Sequence, residues 1–146
     1  MERKEFIKTC GVVCLSGTAL SVILESCGTA AYFAQSTMIN NQIAVRKAEF
    51  TYLKKEQTVQ RKFVMVKHER FEKPICVYKH TEEEYSALYT ECTHKGCEVK
   101  PNDNFIVCPC HGSEYTNRGV VQNPPAERDL KQFKLTIDSD NIYIHV

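Results

Sequence analysis

Residues 43–146 are expected to fold as an all-β domain of small antiparallel sheets. Val, Ile, Tyr and Phe recur from residue 43 onward in short runs, the composition that suits a pleated, half-buried surface. Phe133-Lys134-Leu135-Thr136-Ile137 and Ile142-Tyr143-Ile144-His145-Val146 are joined by the turn-forming Asp138–Asn141, the pattern of a closing hairpin. After residue 43 no stretch sustains a long amphipathic helical period.

Taken in order, the expected strands are Ile43–Thr51, Lys62–Lys67, Pro74–His80, Tyr85–Glu91, Phe105–Cys108, Phe133–Ile137 and Ile142–Val146. A chain of 146 residues accommodates one modest domain and a terminal appendage. Nineteen basic residues against eighteen acidic leave a formal charge of +1, so no nucleic acid partner is expected.

The appendage is residues 1–34, read as an export signal, a lipoprotein signal or an N-terminal membrane anchor. Arg3, Lys4 and Lys8 make a basic leader, and residues 9–24 are uncharged and largely apolar. Arg3-Lys4-Glu5-Phe6-Ile7-Lys8 resembles a twin-arginine export motif with Lys4 in place of the second arginine. Leu24-Glu25-Ser26-Cys27 resembles a lipobox, which makes Cys27 the candidate for lipidation; Glu25 is unusual there. The stretch from Thr9 to Ala34 is also long enough to remain as a spanning anchor, since roughly 20 apolar residues cross a bilayer. Secretion with neither anchor is the third reading. Each places the domain outside the cytoplasmic membrane, on its outer (periplasmic) face where anchored. The polar residues 35–42 are expected to form a tether.

Four of the eight cysteines and two of the five histidines fall in two short loops. The first reads Cys92-Thr93-His94-Lys95-Gly96-Cys97, and the second Cys108-Pro109-Cys110-His111-Gly112-Ser113. Cys92, His94, Cys108 and His111 supply two thiolates and two imidazoles. That spacing alone serves either a structural zinc or a [2Fe–2S] cluster. His68, His80 and His145 lie in or beside strands and are not taken as ligands. Cys76 alternates with its neighbours in an apolar run and is read as a small buried residue.

Both loops, in order, resemble the two halves of the Rieske motif. Gly119-Val120-Val121 and Asn123-Pro124-Pro125-Ala126 resemble the strand and proline-rich loop that follow in that family. The resemblance implies a Rieske-like fold with a cluster-binding subdomain at about residues 90–126, formed by the two loops. It implies a [2Fe–2S] cluster with Cys92 and Cys108 on the inner iron and His94 and His111 on the outer. Cys97 and Cys110 stand where the high-potential, cytochrome bc-type members carry a disulfide, a bond that suits an exported protein. Ser113 and Tyr115 match the hydroxyls that donate to a bridging sulfide and to a ligand cysteine sulfur. Such donors favour the reduced cluster, so a potential in the positive part of the Rieske range of about −150 to +300 mV is expected. Two imidazoles on one iron also imply proton uptake coupled to reduction.

By the same resemblance the protein is expected to be a one-electron carrier, and by its N-terminal segment a membrane-tethered one. Its expected place is the iron–sulfur subunit of a quinol-oxidising cytochrome bc-like respiratory complex, with cytochrome b/c and quinol as partners. The alternatives are a small electron-transfer subunit of another exported oxidoreductase, of the arsenite oxidase type, and a Rieske ferredoxin. The chain shows no catalytic pocket of its own; the chemistry belongs to the cofactor. Lys95 departs from the leucine common in bc-type members and puts a hydrated cation at the expected docking tip.

Overall fold

Three of the expected strands are apolar at consecutive positions rather than alternate ones, and this places them at the centre. In a strand successive side chains point to opposite faces, so an unbroken apolar run must be covered on both. The computed structural model describes residues 31–146. Its strands in chain order are β1 (Ser36–Ile39), β2 (Gln42–Arg46), β3 (Thr51–Lys54), β4 (Gln57–Gln60), β5 (Phe63–Val66), β6 (Ile75–Lys79) and β7 (Tyr85–Tyr89). They are followed by β8 (Lys100–Pro101), β9 (Phe105–Val107), β10 (Glu114–Thr116), β11 (Val121–Asn123), β12 (Gln132–Phe133), β13 (Leu135–Ile137) and β14 (Asn141–His145).

The central sheet has the order β12-β7-β6-β5. Its antiparallel register sets Val64, Val77, Ala87 and Phe133 in one row and Met65, Cys76 and Leu88 in the next. The first row packs with Ile43, Val45, Phe50, Ile142 and Ile144, which come largely from a second sheet of order β1-β2-β14-β13. The other row packs with Val99, Ile106, Tyr115, Ala126 and Leu130. These belong to a smaller lobe built on the sheet β11-β10-β9-β8. Tyr78, fully buried, donates its hydroxyl to the Asn102 carbonyl at 2.6 Å and so ties the lobe to the central sheet. Cys76 is buried with its thiol pushed well up by burial, in keeping with a packing role.

The expected run Ile43–Thr51 is not one strand. A 3-10 turn, Lys47–Phe50, interrupts it and buries Glu49 beside Phe50. Glu49 accepts hydrogen bonds from the Tyr32 hydroxyl (2.8 Å), the Gln35 amide (3.1 Å) and Arg46 (3.0 Å). Burial alone would raise its pKa, but these donors outweigh burial and hold the carboxyl below the usual range. The Arg61 guanidinium lies between the Tyr32 and Tyr52 rings, 3.8 and 4.2 Å from their centres.

The expected strand Phe133–Ile137 is also divided, because β12 joins the central sheet and β13 joins the second. The closing hairpin stands, with Ile137 opposite Ile142. Residues 35–42 are not a free tether. Ser36–Ile39 pairs with β2 around an Asn40-Asn41 turn in which both residues have positive φ. Of the expected leader, Tyr32 to Ala34 lie against β5 through Met65. The rest of the expected leader, the export motif and Cys27 included, lies outside the described residues. Among the described residues no helix is long and apolar enough to cross a membrane.

Candidate metal centre

The two cysteine–histidine loops are closed by the same pair of backbone hydrogen bonds. In the first, the Gly96 amide donates to the Cys92 carbonyl and the Cys92 amide to the Cys97 carbonyl, both at 2.8 Å. In the second, Gly112 donates to Cys108 at 3.0 Å and Cys108 to Ser113 at 2.8 Å. Each bend needs a residue with positive φ, +75° at Gly96 and +81° at Gly112, where a side chain is disfavoured. The equivalence pairs Cys92 with Cys108 and Cys97 with Ser113. It also pairs Lys95 with His111, and both of these are exposed.

Facing one another, the loops bring all four predicted donors together. Cys92 and Cys108 are 2% and 1% exposed, and both are free thiols. The His94 and His111 rings meet edge to face, their centres 4.9 Å apart. Nδ1 of His94 is buried and has no hydrogen-bond partner in the protein, as a nitrogen aimed at a metal would be. Cys97 and Cys110 form the predicted disulfide between the loops. The sulfurs of Cys97, Cys108 and Cys110 lie within 4.8 Å of one another, but two of them are committed to the bridge. The available set is therefore two thiols and two imidazoles. His80 bonds to Ser86 and His145 contacts Gln42 and Thr136, away from the loops.

Of the two facing thiols, Cys92 is the readier to ionise. Burial opposes this, but the Tyr115 hydroxyl, the His94 amide, Cys108 and Ser113 outweigh it. Burial and the neighbouring Cys92 raise the pKa of Cys108. The Tyr115 oxygen is 3.3 Å from the Cys92 sulfur and accepts from the Thr93 amide at 3.2 Å. Thr93 was not singled out from the sequence. Its hydroxyl donates to the Arg128 carbonyl at 2.6 Å, a partner 35 positions away that no local pattern announces. That leaves the Tyr115 proton for either the Cys92 sulfur or the Thr93 oxygen, 3.1 Å away. Ser113 is fully buried, and its oxygen accepts from the Ala126 amide at 2.9 Å, leaving the hydroxyl proton to donate inward.

A sequence model of the Rieske [2Fe-2S] domain matches residues 49–134, more than half of the chain. The chain belongs to this family. The cytochrome b6-f complex iron-sulfur subunit of Synechococcus sp. (strain JA-2-3B'a(2-13)) is 47% identical over 57 residues, 38% of this chain and 33% of that protein. The same-named subunit of Chlorobaculum tepidum is 36% identical over 63 residues, 42% of this chain and 35% of that one. The chain thus spans about a third of the length of these curated relatives. The crystal structure of a cyanobacterial plasma membrane Rieske protein from Synechocystis PCC 6803 superposes with a TM-score of 0.52 at 30% identity. That alignment covers 58% of this chain and 87% of that one.

A Rieske [2Fe–2S] cluster is the cofactor, and the paired thiols and imidazoles fit it. Such a centre takes up and releases one electron. Tyr115→Phe removes the hydroxyl nearest the Cys92 sulfur. It is expected to lower the midpoint potential by on the order of 50 mV, since about 59 mV is a tenfold change for one electron. An EPR-monitored titration reads it. An unchanged potential would mean that the tyrosine proton sits on Thr93.

Proposed function

We propose that this protein is a membrane-tethered one-electron carrier of high potential, working on the outer face of the cytoplasmic membrane. In this reading Cys92 and Cys108 hold one iron and His94 and His111 the other, with Ser113 and Tyr115 raising the potential. It acts as the iron–sulfur subunit of a quinol-oxidising cytochrome bc-like complex, passing the electron on to a cytochrome. The observation that carries this is the Cys97–Cys110 bridge. A disulfide beside the donors belongs in an oxidising compartment. The relatives named as cytochrome b6-f subunits support a cytochrome partner. Tethering rests on the sequence before residue 31, through a lipid on Cys27 or through an uncleaved apolar anchor.

The exposed ring of His111 offers a quinol hydroxyl an imidazole to meet. Lys95, exposed on the matching position of the first loop, favours a second reading. There the same centre serves a different exported oxidoreductase, of the arsenite oxidase type, through a polar contact. The test uses the full chain in its native membrane. Added quinol should reduce the centre to a species with low average g, at a potential in the positive part of the Rieske range. Mass spectrometry should find the mature N-terminus either lipidated at Cys27 or intact at Met1. A centre that quinol leaves oxidised would overturn the first reading in favour of the second, and a potential near the bottom of the range would overturn both.

A further inference from the structure

Beside the first loop runs a groove of about 660 Å³ bordered by His94 and by three cations, Lys95, Arg128 and Lys131. None of the three makes an ion pair among the described residues. The groove also holds Glu91 and Asp129, but both are engaged. Glu91 pairs with Lys73 at 3.4 Å, and Asp129 accepts the Val121 amide at 2.9 Å. The cations are carried on backbone that is pinned to the site. Arg128 is held through its carbonyl by Thr93, the residue before His94, and Lys131 through its carbonyl by the Tyr89 amide at 2.8 Å. The Lys131 ammonium also rests over the Phe71 and Phe133 rings, 5.7 and 5.0 Å from their centres. With a formal net charge of only +1, the chain has no strong overall field, so its electrostatic bias is local.

We propose that this groove is the docking surface for the carboxylate-rich face of an acidic redox protein that takes its electron from the His94 side of the centre. The proposal rests on the Rieske reading. One electron leaves the reduced centre, which is oxidised, and reduces the metal of the acidic acceptor, and a proton that reduction had placed on a ligand imidazole would return to solvent. Three unpaired cations steer such a partner and fix its register, while the imidazole in the same groove shortens the electron's path.

The experiment uses the full, cluster-loaded chain in detergent. The reduced protein is oxidised by ferricyanide, an anion, and separately by tris(phenanthroline)cobalt(III), a cation. Ferricyanide oxidation should slow as ionic strength rises, and oxidation by the cobalt complex should not. Arg128→Glu and Lys131→Glu should each slow ferricyanide roughly fivefold to tenfold at low salt, with the visible spectrum and midpoint potential unchanged. Lys54→Glu, on the β3–β4 hairpin, should leave the rate as it was. In the second arm, a fluorescent hexaglutamate peptide should bind the oxidised protein at low salt and be lost with Arg128→Glu. Equal effects of Lys54→Glu and Arg128→Glu overturn the proposal. So does a ferricyanide response without peptide binding, which would mark a site for small anions alone. A chain with no cluster spectrum fails the Rieske reading instead, and the peptide arm still decides the groove.

Discussion

Replacing Cys97 and Cys110 together by alanine is expected to destabilise the cluster-binding lobe by about 3 kcal/mol. The bridge closes a loop with a sequence separation of 13, and loop-closure entropy for about that length gives this figure. The loops have little else in common. Each is closed by its own backbone hydrogen bonds, and apart from the bridge the contact between them is the two histidine rings, Cys92 against Cys108 and Ser113, and Tyr115 reaching Cys92 and Thr93. The readouts are hydrogen exchange of lobe amides in the apo protein and the lifetime of the visible spectrum in the loaded protein. Exchange should quicken by roughly a hundredfold at that free energy, and the lifetime of the spectrum should fall. Unchanged exchange and an unchanged lifetime would mean that Tyr115 and the histidines suffice to hold the loops.

Gly119→Ala is expected to cost about 3 kcal/mol, against about 1 kcal/mol for Gly112→Ala. Both glycines have φ of +81°, so both substitutions carry the strain of a left-handed backbone. They differ in what a Cβ would meet. At Gly112 there is nothing within 4 Å, whereas at Gly119 the new atom would lie 2.7 Å from Leu88 Cδ2 and 3.4 Å from Leu130 Cβ. Leu88 belongs to the central sheet, and the Leu130 amide donates to the Gly119 carbonyl at 2.8 Å. The substitution therefore requires the buried Leu88 side chain to give way at the seam between the lobe and the sheet. Denaturant unfolding of the two variants checks it, and equal losses would show that Leu88 moves aside freely.

The donors and the closing hairpin could be read from the chain because each is written in neighbouring residues, whereas the bridge is implied by the resemblance to the Rieske family. Cys92 and His94, or Ile137 and Ile142, declare themselves within a few positions. The β3–β4 hairpin did not. Thr51-Tyr52-Leu53-Lys54 and Gln57-Thr58-Val59-Gln60 are mostly exposed, with Leu53 at 75%, so burial imposes no clear alternation. Its Lys55-Glu56 turn adopts positive φ without glycine or asparagine to signal it. The turn at Asn40-Asn41 did carry such a signal, hidden in a stretch whose polarity suggested a tether. Thr93 escaped for another reason: its role depends on Arg128, and only the folded lobe brings the two together.

The lobe leaves the central sheet after β7 and returns at β12, and those two strands are partners. Gln132 pairs with Leu88 and Phe133 with Ala87, and the Tyr89 amide closes onto the Lys131 carbonyl. An insert whose ends are already side by side can loosen without unzipping what carries it. Two kinds of durability therefore coexist in one chain. The melting transition of the double sheet measures whether the scaffold survives, while iron retention measures how often the insert opens. A protein of this design can lose its metal with its scaffold intact, so heat resistance is no guide to its working life as a carrier.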